Sequence, residues 1–376
     1  MNSYSVSDTL NIIDDSSIKL RIVERTYYNE TLRSYIHKLK TEIDFYITEW
    51  EKNKRYLNPY EFVNTPFDTF TPSVCLYKPI SRAFFKLTEI LNTFPFHFPK
   101  NMSSFHLAEG PGGFIEAIQN LRKNKEDIYY GMTLLNDDKD VPIWNKCEKY
   151  LMKNSENIIL ETGDGTGNLF HLENLLYIKN KFSEKMDFIT GDGGFDFSVD
   201  FNNQEENSIN LIFAEICFAI IMQKKGGSFV LKLFDTFSST TNELIYLLTY
   251  LYEDVIITKP VMSRPANSEK YIVCLNFKRV HNLSAIIDNL ISIFPSIKET
   301  PIQSFLNLEM SNIFISKMKE INSIFGQSQL TNILATLTYI SDENKYEKIE
   351  QIKRSHINKC IKWCKKNNMI INDKYY

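Results

Sequence analysis

Four residues carry the types and surroundings to do chemistry: Lys86, Asp192, Lys232 and Glu269. Lys232 is the most telling singly. It lies in GGSFVLKLFD among Phe229, Val230, Leu231 and Leu233, where an ammonium group is costly unless a carboxylate or a ligand meets it. Burial there would weaken its hold on a proton and make it a candidate base, while nearby carboxylates would pull the other way. Asp192 closes DFITGD ahead of Gly193 and Gly194, Glu269 lies in SRPANSEKYIVC, and Lys86 is carried by ISRAFFKLTEIL. Each has a plainer reading alone. Lys232 could be an edge-strand lysine reaching solvent, Lys86 a partner of Glu89 on its own helix, Asp192 a turn residue and Glu269 a surface residue. As a set they favour chemistry over those alternatives.

The element that would face them is Phe105 to Glu116, FHLAEGPGGFIE, a short apolar run, a Gly-Pro-Gly-Gly turn and the opening of a helical pattern. Glycines let a backbone approach a ligand, and the first helical N–H groups are free to bind one. By itself the turn would suit a dinucleotide, a phosphate or an ordinary strand-to-helix connection.

The surrounding pattern alternates. Strands are expected at 104–108, 127–133, 157–161, 186–190, 228–234, 254–258 and 271–277, with helices at 113–123, 207–224 and 239–252. Such alternation predicts a mostly parallel sheet covered on both faces, with ligands beyond the carboxyl ends of its strands. Before it, Leu32, Ile36, Leu39, Ile43, Ile47 and Trp50 recur at helical spacing, and Pro59, Pro66, Pro72 and Pro79 break the following stretch into loops. After about residue 280 the pattern is helical only. One helix is expected around Ile287, Leu290 and Phe294, and a second around Phe305, Ile313, Met318 and Ile321. Leu330, Leu334 and Leu337 mark a third, and Ile349, Ile352, Cys360 and Trp363 a fourth.

The 376 residues suffice for a large core, and a net charge of −3 means that any attraction to nucleic acid must come from a clustered basic face. The cysteines Cys75, Cys147, Cys217, Cys274, Cys360 and Cys364 are scattered, and the N-terminus MNSYSVSDTL has no signal-peptide character, which predicts a reduced intracellular protein. The longest apolar run, Leu211 to Met222, is too short for a membrane span and is interrupted by Glu215.

The succession SRAFFKL, AEGPGGF, DFITGDGGFD, GGSFVLKLF and SRPANSEKYIV resembles the FtsJ-like family of ribose 2'-O-methyltransferases. Within that family it is most similar to the branch that methylates the cap-proximal ribose of messenger RNA, including forms found in large DNA viruses. The resemblance covers about residues 78 to 278. It implies a Rossmann-like, S-adenosylmethionine-dependent methyltransferase fold with a mostly parallel seven-stranded sheet and helical extensions. The expected divisions are 1–77, 78–280 and 281–376.

The family's Lys-Asp-Lys-Glu tetrad would fall on Lys86, Asp192, Lys232 and Glu269, with Lys232 as the base and Lys86 as its charge-stabilising partner. Asp192 would orient Lys232 and face the sulfonium; Glu269 would hold the lysines and the ribose. The cofactor side would comprise Glu109, Gly110, Pro111, Gly112, Gly113, Phe114, Thr133, Leu134, Asp164 and Asp192, with Asp164 at the adenine. His106 stands where many members have an acidic residue, and Glu109 is the substitute expected for it. GMTLLNDD has no acidic residue directly at the strand tip. Arg82, Arg264 and Ser268 are the candidate RNA contacts, and no metal site is implied. The implied reaction is methylation of the first transcribed nucleotides of capped messenger RNA. The rivals are a ribosomal or transfer RNA methyltransferase and a catalytically silent RNA-binding subunit. The implied partners are RNA and the capping or transcription machinery, and no membrane. The implied location is the cytoplasm or a viral factory, with the nucleus left open.

Three remaining signals favour plainer readings. His356, Cys360 and Cys364 share a helix face with apolar residues and read as core rather than metal ligands. The lysines around them read as a solvated face, with phosphate contact as the alternative. Trp50, Tyr56, Tyr60 and Phe62 read as packing rather than as a stack for a methylated guanine.

Overall fold

Strands that lie between two layers of helices are apolar on both faces, and such runs supply the centre of this molecule. The computed structural model describes residues 1–7, 13–14, 16–135, 144–195, 202–298 and 301–375. The chain begins with β1 (Asn2–Ser5), β2 (Ile18–Arg21), α1 (Glu30–Asp44), α2 (Ile47–Leu57) and α3 (Ala83–Thr93). It continues through β3 (Ser103–Leu107), α4 (Gly113–Arg122), β4 (Ile128–Met132), α5 (Glu148–Lys153), β5 (Ile158–Leu160), α6 (Leu172–Phe182) and β6 (Met186–Gly191). Next come α7 (Gln204–Met222), β7 (Gln223–Leu233), α8 (Ser239–Leu251), β8 (Tyr252–Lys259) and β9 (Lys270–Phe277). The chain ends in α9 (Leu283–Ile293), β10 (Ser304–Leu306), α10 (Asn312–Ser341) and α11 (Lys345–Lys366).

The main sheet has the order β1-β8-β9-β7-β6-β3-β4-β5. Strands β3 to β7 pair in parallel with their neighbours, whereas β9 is antiparallel to both β7 and β8. From β3 the chain moves outward through β4 to β5, then returns to the other side of β3 with β6. That reversal is a topological switch point, and it opens a crevice beyond the carboxyl ends of β3 and β6. Leu107 lies opposite Gly191 in that register, so the glycine turn and Asp192 leave the sheet side by side.

The seven expected strands are all present, joined at the edge by β1, antiparallel to β8. A short edge strand of sequence NSYS buries little and so leaves no apolar signature. The helix expected from Leu32 through Trp50 is two helices that break at Phe45 and Tyr46. Both residues are exposed there, so the apolar spacing runs on across a turn. The second and third C-terminal helices fuse into α10, and Phe305 belongs instead to β10, which pairs with β2. Gly326 brings α10 against α1: a Cβ there would stand 2.8 Å from Leu32 Cδ2.

Two apolar clusters cover the sheet. One gathers α6 to α9 and much of α10; the other gathers α3, α4 and α11, including Cys360, Trp363 and Cys364. Among the described residues, no helix is long and apolar enough to cross a membrane.

Candidate active site

The turn after β3 is held from within. Glu109 Oε1 accepts from the Phe114 and Ile115 N–H groups at 2.6 and 3.1 Å, and Gly110 N–H donates to Thr133 Oγ1 at 3.2 Å. Two helical N–H groups expected to be open to a ligand are therefore taken by the protein's own carboxylate. Gly112 has φ +110°, a conformation that L side chains resist, and a Cβ on Gly113 would lie 2.1 Å from Ser81 Oγ. Ser81 Oγ is buried, with no hydrogen-bond partner among the described residues. The turn is thus a tight cradle floored by the chain ahead of α3.

Around this cradle charge is predominantly negative. Burial, opposed by its two backbone bonds and reinforced by Asp192, keeps the Glu109 carboxyl well above the usual carboxylate range. A bound cation would relieve both groups.

Beyond the switch point the four reactive residues form two linked ion pairs. Lys86 Nζ donates to Glu269 Oε2 at 2.8 Å, and Lys232 Nζ lies 3.4 Å from Asp192 Oδ1. Lys232 also donates to the Asp192 backbone carbonyl at 2.6 Å. The solvent-reaching and same-helix alternatives both fail. Lys232 points to Asp192, and Glu89 instead accepts from Val261 N–H, Met262 N–H and Trp363 Nε1. Burial alone would raise the Glu269 carboxyl, but Lys86 and then Lys232 hold it down at about 2. Burial likewise works against the Lys232 ammonium, yet Asp192, Glu269 and Glu215 outweigh it and leave the group above the ordinary lysine value. In this structure Lys232 therefore holds its proton. Glu269 Oε1 is buried without a hydrogen-bond partner among the described residues.

Several supports escaped the sequence reading. Tyr271, opposite Lys232 in the β7–β9 register, donates its hydroxyl to Asp192 Oδ1 at 2.9 Å. Lys259, at the end of β8, donates to Asn267 O, Asn267 Oδ1 and Glu269 O at 2.8, 2.8 and 2.6 Å. It clamps the loop that delivers Glu269; burial, with Lys270 and Lys86 beside it, pulls its ammonium down to about 7. Beneath the Asp192 loop, Glu215 Oε1 accepts from Gly193 N–H at 3.0 Å. Glu61 accepts from Arg82 Nη1 at 2.5 Å and from Arg264 Nη2 at 3.1 Å. The only cue in the sequence was a carboxylate or lysine standing in otherwise apolar or Pro-rich surroundings.

The other expected site residues divide. Gly110, Pro111, Gly112 and Gly113 form the cradle, and Thr133 with the exposed Leu134 stands beside it at the end of β4. Phe114 contributes its backbone while its ring is core. Asp164 is spent on its own loop, accepting from Thr166, Asn174 and His171, which keep it below the ordinary carboxylate range. The anomalous His106 is buried between Ser104 and Thr190, and burial lowers it to about 3, so it is neutral structure. Of the RNA candidates, Arg82 and Arg264 meet at Glu61 with their side chains 26% and 37% exposed. Ser268 is buried, not on an open loop face, and donates to Gln204 Oε1 at 2.7 Å. Asp137 and Asp138 of GMTLLNDD lie outside the described residues.

Residues 79–277 match the family described as FtsJ-like methyltransferase. The chain is 28% identical over 263 residues to a cap-specific mRNA (nucleoside-2'-O-)-methyltransferase 2 from Drosophila melanogaster, an alignment of 66% of this chain and 37% of the relative. It is 26% identical over 328 residues to the protein of the same name from Danio rerio, covering 82% of this chain and 43% of the relative. A cap-specific mRNA (nucleoside-2'-O-)-methyltransferase 1 from Trypanosoma cruzi is 41% identical over 116 residues, 30% of this chain and 32% of that protein. The chain thus spans less than half the length of these relatives.

Proposed function

The chain belongs to the FtsJ-like methyltransferase family, and on that premise we propose that it moves a methyl group from S-adenosylmethionine to a ribose 2'-hydroxyl of capped messenger RNA. The observation that carries this reading is the pair of ion pairs, Lys86–Glu269 and Lys232–Asp192, set beyond the switch point beside the glycine cradle. The names of the relatives support the cap as the place of reaction.

S-adenosylmethionine supplies, when bound, a methyl carbon on a positively charged sulfur. The residues fit such a group: the Gly112–Gly113 cradle has no room for side chains, and the buried carboxylates Glu109 and Asp192 suit a cationic ligand. Catalysis is then mainly positioning of the attacking oxygen. Glu269, with Oε1 unengaged, accepts from a ribose hydroxyl; Lys86 holds the opposite oxygen of that carboxylate in place. Lys232 accepts the proton of the 2'-hydroxyl as the oxygen–methyl bond forms, and the carbon–sulfur bond breaks with its electron pair retained on sulfur. Because the carboxylates hold Lys232 as an ammonium in this structure, its base form depends on Asp192 and Glu269 finding other partners. The rate should accordingly rise with pH through neutrality.

Incubation with labelled S-adenosylmethionine and short RNAs, capped or uncapped, followed by mapping of the labelled ribose, tests the reading. We expect label on the first transcribed nucleotides of the capped RNA. Equal transfer to uncapped RNA would remove the cap from the account. RNA crosslinking with no transfer to either would make the chain a silent RNA-binding subunit.

A further inference from the structure

A cavity of about 450 Å³ lies between α2, α10 and the loop Arg264–Ser268. It is the right size for a planar heterocycle and its sugar. One wall presents the indole of Trp50 and the apolar surface of Pro265. The rest is rich in carboxamides, among them Gln204, Asn267, Gln329 and Asn332. Several of these are already oriented: Gln204 Oε1 is engaged by Ser268, Asn267 Oδ1 by Lys259 at 2.8 Å, and Gln329 Nε2 donates to Ala266 O at 3.3 Å. A flat aromatic wall with carboxamides, each of them both donor and acceptor, matches the face and the edge of a nucleobase.

Position points the same way. Ser268 lines the cavity, and the next residue is Glu269 of the tetrad. Arg264 stands at the same wall with its guanidinium part-exposed, where a phosphate joining two nucleotides would pass.

We propose that this cavity receives one nucleobase of the RNA, adjacent to the nucleotide whose ribose the tetrad holds. The inference rests on the RNA methyltransferase reading. The occupant is either the terminal base of the cap or the base of a neighbouring transcribed nucleotide.

Equilibrium binding separates this site from the chemistry. Trp50 fluorescence is followed while a capped dinucleotide, or an uncapped trinucleotide of matching sequence, is added; Trp50→Phe identifies the Trp50 share against Trp144 and Trp363. Stacking on Trp50 predicts quenching that the variant lacks. Quenching by the capped ligand alone assigns the cap base, and equal quenching by both assigns a transcribed base. Asn332→Trp fills the cavity from α10 and should weaken binding of the quenching ligand about tenfold, a typical effect of losing one stacked base. The wild-type titration decides even if that variant does not fold. No quenching attributable to Trp50, or a folded Asn332→Trp that binds as the wild type does, overturns the proposal. Methyl transfer measured on the same preparations keeps the two readings apart. Transfer without quenching removes only this site, whereas quenching without transfer removes the activity and leaves the site.

Discussion

At the scale of residues, the chemistry is set by which charges share a wall. Glu215 shows this most sharply: it is 1% exposed and faces Lys232 from β7 and Asp192 from the end of β6. Burial lifts its carboxyl from 4.5 to about 8, despite Gly193 N–H and Lys232 favouring the charged form. The folded state therefore keeps a proton that the unfolded chain releases, and the stability it confers is full below about pH 4.5 and lost as pH rises toward about 8. Glu215→Gln keeps an acceptor for Gly193 but has no charge to form. Its melting temperature should gain on the wild type by several degrees between about pH 5 and about pH 8. A constant difference across that range in calorimetry would contradict the assignment. The tetrad was legible because each member is a charged residue next to an apolar run or a glycine pair. Tyr271 and Glu61 were not, because their partners lie 79 and 203 residues away in the chain.

At the scale of elements, strands buried on both faces announced themselves, while β1 and β10, short and at edges, did not. Helix limits were less legible than helix existence: apolar spacing ran through the break between α1 and α2 and gave no sign of the fusion that makes α10. What docks α1 on the sheet is also hidden in the sequence. Lys40, 5% exposed, donates to Asp235 just beyond β7 at 3.0 Å, with Lys270 4.0 Å from the other carboxylate oxygen. Removing one partner of a buried pair strands the other, so Lys40→Ala should cost about 3 kcal/mol. The check is the urea midpoint, which should fall with an unchanged slope. A midpoint equal to that of the wild type would mean that α1 is held by apolar packing alone.

At the scale of the whole molecule, the sheet separates holding from reacting. The cradle after β3 needs small residues and a helix N-terminus, and the ion pairs at the ends of β6, β7 and the loop before β9 need charge. The two extensions close over the acceptor side: α2 and α10 supply walls of the cavity beside Glu269. Their role was not legible, since Trp50 at helical spacing reads as core whether or not one edge lines a cavity. This division makes the central claim separable by one measurement. Lys232→Ala is assayed for S-adenosylmethionine binding by calorimetry and for transfer of labelled methyl to capped RNA. The account predicts binding within about threefold of wild type and a loss of transfer of at least about a hundredfold, the usual scale for a positioned base. Transfer at the wild-type rate would contradict it.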